Sequence, residues 1–281
     1  DVRRRLFGLL AMSDQVGAKV PLDARTLSSE ERDGYVFEEV EFASTPGRRI
    51  KAVVTVPRTG TAPYPAVVAI HGHGGSRFIV HDRTSVYKGF AAELAGKGYV
   101  TIAVDVGQHV VYEPGRLLPG ERLRDLMRAV DYLAAMKEVD RARIGCAGLS
   151  LGGEMSMWLA AMDERIAACV SSGFLTVMDQ MEFDHCMCWK FDGLRELVDF
   201  ADIFGLIAPR PLQCQNGLLE APFMFVVPLA RQAMDEIRPI YADLGRPGNV
   251  TLAIHGGEHE VDLPSLVTFF DRWLAPTAPS K

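Results

Sequence analysis

The sequence predicts an α/β fold, a mostly parallel central sheet with helices on both faces, and three observations carry that prediction. From residue 66 onward, short continuous apolar runs alternate with amphipathic stretches. Parallel strands covered on both faces read as unbroken apolar runs, and their connections are helical. Three of the runs end in segments rich in glycine or histidine: His71-Gly72-His73-Gly74-Gly75, Asp105 to His109, and Gly148 to Gly153. In such a sheet these endings share one rim, where ligands bind. Finally, Gly148-Leu149-Ser150-Leu151-Gly152 joins an apolar run directly to a stretch of good helix formers. The pattern G-x-S-x-G in that context is a sharp strand-to-helix turn that lifts a serine above the sheet.

The chain has 281 residues, 48% hydrophobic and 23% charged. That supports one large domain over 1–281 with a full core. Residues 2–12 place Val2, Leu6, Leu9 and Leu10 at helical spacing, so a short helix opens the chain, with Arg3-Arg4-Arg5 read as its solvated end. Residues 13–33 are polar and read as irregular, which makes 1–34 a helical and irregular extension. Tyr35 to Phe42 and Arg49 to Val56 read as strands joined at Thr45-Pro46-Gly47, a turn sequence. Strands follow at 66–70, 99–104, 143–147 and 166–171, with helices over 89–96, 121–137 and 154–162 between them. Residues 174–205 then break the alternation. An excursion of that length carrying Phe174, Met178, Met187 and Trp189 reads as a cap over the rim. A strand at 211–215, a helix at 229–244, a strand at 249–254 and an amphipathic helix at 263–274 complete the pattern.

Composition excludes some functions. The net charge is −6 and no basic cluster is long enough to suggest nucleic acid or an anionic membrane surface. No apolar run approaches a membrane span. The five cysteines are odd in number, and Cys146, Cys169 and Cys214 fall in strand-like runs. Reduced buried thiols are ordinary there, so a cytoplasmic setting is expected. The chain starts at Asp1 rather than Met, which leaves room for a removed leader.

A serine hydroxyl needs a base within hydrogen-bond reach, and the base needs an anion to hold its tautomer. In this winding the chain order is serine, acid, histidine. The histidines after Ser150 are His185, His255 and His259. His259 follows the last strand after a glycine turn and is the expected base, while His255 ends the strand itself and reads as a packed, hydrogen-bonded residue. Glu220, just past the strand at 211–215, is the expected acid, with Asp179 and Asp184 in reserve. Glu154 and Asp163 read as structural. Backbone N–H groups of Leu151 and of His73 or Gly74 are the expected donors to an oxyanion, with the His71 side chain supporting that loop. Phe174, Met178, Met187, Trp189 and Phe223 are expected to line the substrate pocket. His185-Cys186-Met187-Cys188 offers possible metal ligands, but with no second Cys/His pair in the sequence nearby, no metal site is expected.

These residues resemble the α/β-hydrolase superfamily, and most of all the dienelactone-hydrolase-like and acetyl-xylan-esterase-like carboxylesterases. The matching features are His71-Gly72-His73-Gly74-Gly75, Gly148 to Gly153, Ile207-Ala208-Pro209-Arg210-Pro211 leading to Asn216-Gly217, and Gly257-Glu258-His259 before Phe269 to Leu274. They run in the expected order over residues 66 to 274. The resemblance implies the α/β-hydrolase fold and a serine carboxylesterase without cofactor. Its substrate would be a small-molecule ester with a short-chain, aryl or acetyl group. Two positions depart from the pattern: Glu220 stands where such proteins often carry Asp, and the nucleophile is serine where dienelactone hydrolases use cysteine. The alternatives are cleavage of a C–C or amide bond by the same residues, or a non-catalytic binding protein on this fold.

Overall fold

Residues 1–275 are described by the structure, a computed structural model. The sheet has nine strands: β1 (Arg25–Arg32), β2 (Tyr35–Thr45), β3 (Arg48–Pro57), β4 (Tyr64–Ile70), β5 (Val100–Val104), β6 (Val139–Leu149), β7 (Ile166–Ser172), β8 (Leu212–Gly217) and β9 (Val250–His255). Their order is β1-β2-β3-β5-β4-β6-β7-β8-β9. The first three strands and the β3–β5 pair are antiparallel, and every pair from β5 to β9 is parallel. The connection from β4 steps to β5 on one side, and the next returns to β6 on the other. That reversal opens a crevice at the carboxyl ends, the usual place for a site.

Side-chain alternation builds two cores. Strand β4 sends Ala66, Val68 and Ile70 to one face and Val67 and Ala69 to the other. The first face is covered by α1 (Val2–Leu9), and α2 (Phe90–Gly96) lies on the second. The long helices α3 (Leu118–Ala135) and α4 (Leu151–Met162) pack on the first face. Between β7 and β8 the chain forms three short helices, α5 (Met178–Met181), α6 (Leu194–Leu197) and α7 (Phe200–Gly205). Then α8 (Val227–Asp243) joins the first face and α9 (Leu263–Trp273) the second. Among the described residues, no helix is long and apolar enough to cross a membrane.

Two expectations for the N-terminal segment are corrected. Residues 25–32 are a strand, not an irregular stretch. Strand β1 has no buried face, hence no apolar alternation to betray it. It is held by pairing to β2 and by polar contacts such as Ser29 Oγ to Glu38 Oε1 at 3.3 Å and Arg58 with Glu31. Nor is Arg3 simply solvated. Its guanidinium donates to the carbonyls of Ala161 (2.7 Å) and Leu206 (2.6 Å), satisfying acceptors left over at the ends of α4 and α7.

Candidate active site

Ser150 sits between β6 and α4 with φ 62° and ψ −124°. A non-glycine residue in that region carries about 1–3 kcal/mol of strain and persists only where its surroundings over-determine it. Here they do. The Ser150 N–H donates to the Ser172 carbonyl at 3.0 Å. A Cβ on Gly148 would strike the carbonyls of Gly152 and Ile70, and one on Gly152 would strike Ile70. The first turn of α4 is thereby pressed onto the ends of β4 and β7, which no larger residue allows.

The loops after β8 and β9 are tied together. Leu218 N donates to His255 O at 2.8 Å and Leu219 N to Gly257 O at 3.0 Å. This lays Glu220 against His259, whose Nδ1 is 3.0 and 3.1 Å from the two carboxylate oxygens. The Glu220 side chain is 1% exposed, so the contact is shielded from solvent. His259 stacks on Phe225 with ring centroids 5.7 Å apart. Its edge covers Gly173, where an added Cβ would come within 2.8 Å of Cε1. The remaining nitrogen, Nε2, is buried and has no partner. An Nδ1–H donated to a carboxylate leaves Nε2 as the basic, proton-accepting atom.

The loop after β4 approaches the elbow closely. A Cβ on Gly72 would meet the Leu149 carbonyl at 2.8 Å and Ser150 Cβ at 3.0 Å. Gly72 N–H is occupied, donating to the Tyr87 hydroxyl at 2.6 Å. Among the described residues, the N–H groups of Leu151, His73 and Gly74 show no hydrogen-bond acceptor. His71 holds the loop: Val106 N donates to its Nε2 at 3.0 Å and its Nδ1 lies 2.8 Å from Gly72 O. Burial depresses its basicity, in keeping with a neutral ring that donates at one nitrogen and accepts at the other. Nothing in the sequence around Tyr87 signalled a role at the elbow.

The reserve acids lie elsewhere. Asp179 is exposed and paired with Arg195, and among the described residues His259 forms its side-chain hydrogen bonds and ion pair with Glu220, not Asp184. Glu154 is buried on α4, and desolvation pushes its carboxyl up to about 7 against the lowering effect of Arg122. The expected pocket lining is corrected for three of its five members. Phe174, Met178 and Trp189 are 1% exposed or less and pack with Phe200 inside the first core. An irregular excursion must bury apolar groups of its own to hold its shape, and these three do so. Met187 and Phe223 are exposed.

The metal expectation is also corrected in its premise. The sequence shows no second pair near Cys186 and Cys188, yet the fold supplies one: His73 from the loop after β4 and His109 from the loop after β5. His73 Nε2 is 3.2 Å from Cys188 Sγ, and His109 Nε2 is 3.3 Å from Cys186 Sγ. Spacing along the chain carries no trace of a group assembled from three loops.

A parallel sheet with an antiparallel edge, helices on both faces and a strained serine elbow at its carboxyl rim defines the α/β-hydrolase fold, and the protein is a carboxylesterase of that fold. The chain belongs to the acetyl xylan esterase family: the family model described as "Acetyl xylan esterase (AXE1)" matches residues 13–179. YtaP of Bacillus subtilis (strain 168) is 27% identical over 237 residues, covering 74% of this chain and 77% of that protein. Among solved structures, an acetyl xylan esterase from Paenibacillus sp. R4 superposes with a TM-score of 0.68 at 17% identity, over 98% of this chain and 95% of the other. A glucuronoyl esterase from Solibacter usitatus gives 0.70 at 17% identity, over 90% and 86%.

Proposed function

We propose that the chain hydrolyses acetyl or other short acyl esters on carbohydrates through Ser150, His259 and Glu220. The observation that carries the reading is the pairing of the buried Glu220 carboxylate with His259, whose Nε2 is unpartnered among the described residues, on the rim that bears the Ser150 elbow. In this mechanism His259 Nε2 takes the Ser150 proton as Oγ attacks the ester carbonyl. The tetrahedral oxyanion is held by the Leu151 N–H and by the His73 or Gly74 N–H. His259 then returns the proton to the leaving alkoxide, and a water molecule releases the acyl group by the same steps. Glu220 keeps the imidazole in the Nδ1–H tautomer and stabilises the imidazolium.

The carbohydrate half rests on family membership and on a cleft beside the His71–Gly75 loop. That cleft has a volume of about 700 Å³, and its lining includes Arg48, Gly74, Asp105, Gln108 and Tyr112; it reaches the candidate site through Gly74, while Ser150 and His259 lie outside its lining. Convergent polar side chains with one aromatic ring suit a sugar hydroxyl surface better than an alkyl chain. A fluorophosphonate probe should label Ser150, identified by peptide mass spectrometry. Acetylated xylo-oligosaccharides and p-nitrophenyl acetate should both turn over, p-nitrophenyl octanoate far more slowly, and Ser150→Ala should abolish all three. Failure of labelling together with turnover that survives Ser150→Ala sinks the triad. Turnover of p-nitrophenyl acetate with none of the acetylated sugars removes only the carbohydrate.

A further inference from the structure

We infer that His73, His109, Cys186 and Cys188 form a tetrahedral zinc site that fastens the insertion between β7 and β8 to the loops after β4 and β5. The donor atoms of the four side chains all lie within 4.8 Å of one another. In an S2N2 zinc centre, bonds of about 2.3 Å to sulfur and 2.0–2.1 Å to nitrogen put neighbouring donors roughly 3.3–3.8 Å apart. The two N···S pairs, at 3.2 and 3.3 Å, are slightly closer than the roughly 3.5 Å that these bond lengths give an N···S pair. Small side-chain rotations bring the remaining donors in.

The surroundings favour thiolates. Arg122 is a fully buried guanidinium on α3, and its Nη1 points at Cys188 Sγ from 3.3 Å while Nη2 donates to the Gln108 carbonyl. A thiol is a weak acceptor for so costly a donor; a metal-bound thiolate is a good one. Outer-shell N–H donors of this kind orient metal ligands. Arg122 also fixes the Gln108 backbone next to His109, so one buried cation braces two of the four ligand positions. Cys186 and Cys188 are free thiols, and the His73 and His109 rings stack with centroids 5.2 Å apart, both exposed at their edges. An exposed pair of stacked imidazoles facing two thiols has no packing rationale of its own.

Zinc is favoured over other ions by the donor set. Two thiolates with two imidazoles in tetrahedral array suit Zn²⁺, whereas Mg²⁺ and Ca²⁺ take oxygen. Binding converts Zn²⁺ and two thiols into a neutral Zn(S)₂(N)₂ centre and releases two protons to solvent, with no change of oxidation state. With four protein ligands and no open position the ion is structural. Its place matters nonetheless, because the second oxyanion donor proposed above is the N–H of His73 itself or of its neighbour Gly74. The ion therefore anchors the insertion to the catalytic rim.

Metal-free protein titrated with Co²⁺ should bind one ion per chain. The bound ion should show thiolate-to-cobalt charge-transfer absorption and the intense visible bands of a tetrahedral centre, and one equivalent of Zn²⁺ should displace it. Cys186→Ser/Cys188→Ser should lose the charge-transfer band, and His109→Ala should bind at least 10-fold more weakly. Circular dichroism of the variants, altered at the exposed His109 and Cys186 and the half-buried Cys188, checks that they fold. Zinc should raise the thermal midpoint of the wild type and leave the double variant unmoved. Absence of a charge-transfer band in the wild type, equal binding by the double variant, or a Cys186–Cys188 disulfide in protein isolated under reducing conditions would overturn the site.

Discussion

The Glu220–His259 pair and the His73–His109–Cys186–Cys188 cluster stand on the same rim, but they are built differently. The first is carried by short turns after adjacent parallel strands, cross-tied by two backbone hydrogen bonds and buried against Phe225. The second draws on three loops far apart in sequence, and three of its four members are exposed. Strand ends are positioned by the ladder beneath them. Loops are positioned only by what they touch at their tips. The catalytic role proposed for the pair suits the first kind of support, since a misplacement near 1 Å costs a catalytic group about 100-fold, and the proposed ion would make the second kind comparably rigid.

The contrast can be broken first at the acid. Glu220→Gln keeps the shape of the side chain but stops favouring the Nδ1–H tautomer, and kcat should fall by about 10³–10⁴ at unchanged thermal stability. A loss under tenfold, measured with p-nitrophenyl acetate, would assign the acid elsewhere. Gly173→Ala tests the packing of the ring. The new methyl would press on His259 Cε1 and Nδ1, at a position whose φ of 54° disfavours a side chain. We expect a loss of about 10²-fold in kcat, with binding of a substrate analogue retained.

A half-buried histidine outside both clusters, its ring nitrogens shielded from solvent, provides the next comparison. His81 packs edge-on to Phe37, neither of its nitrogens has a partner, and burial, reinforced by Arg32, depresses its pKa from 6.5 to about 3. Between those values the folded chain binds fewer protons than the unfolded chain. Its contribution to stability is therefore complete above pH 6.5, falls by about 1.4 kcal/mol per pH unit as the pH drops from 6.5 towards 3, and is gone below 3. His81→Leu should flatten the acid limb of the stability curve measured by urea unfolding; an unchanged slope would mean that the ring opens to water. The smallest effect is expected at Asp179→Asn, an exposed partner of Arg195, where kcat should change less than about twofold.

Much of the site is legible in the chain because the chemistry there is local. G-x-S-x-G needs glycines where backbone meets backbone, and the contacts of Gly148 and Gly152 with Ile70 give the reason. Glu220 and His259 are legible for a different cause. Each lies a few residues beyond an apolar run, and in a parallel sheet all such places face one way. The same logic failed where no periodicity exists to be read. Strand β1 is polar but for the exposed Leu27, so only its pairing to β2 reveals it. Phe174, Met178 and Trp189 read as a pocket because they are apolar and lie in an insertion; whether such groups face a cavity or one another is a question of packing.

By itself, then, the amino-acid sequence determined the sheet from β2 onward, the elbow and the chain order of Ser150, Glu220 and His259. Alternation of apolar runs and the demands of a tight turn are properties of neighbours in the chain. The tertiary structure alone decided which acid meets His259, what the insertion buries and that His73 and His109 come to stand beside Cys186 and Cys188. Those are contacts between segments whose separation along the chain leaves no periodic trace, so only closure of the fold brings them into view.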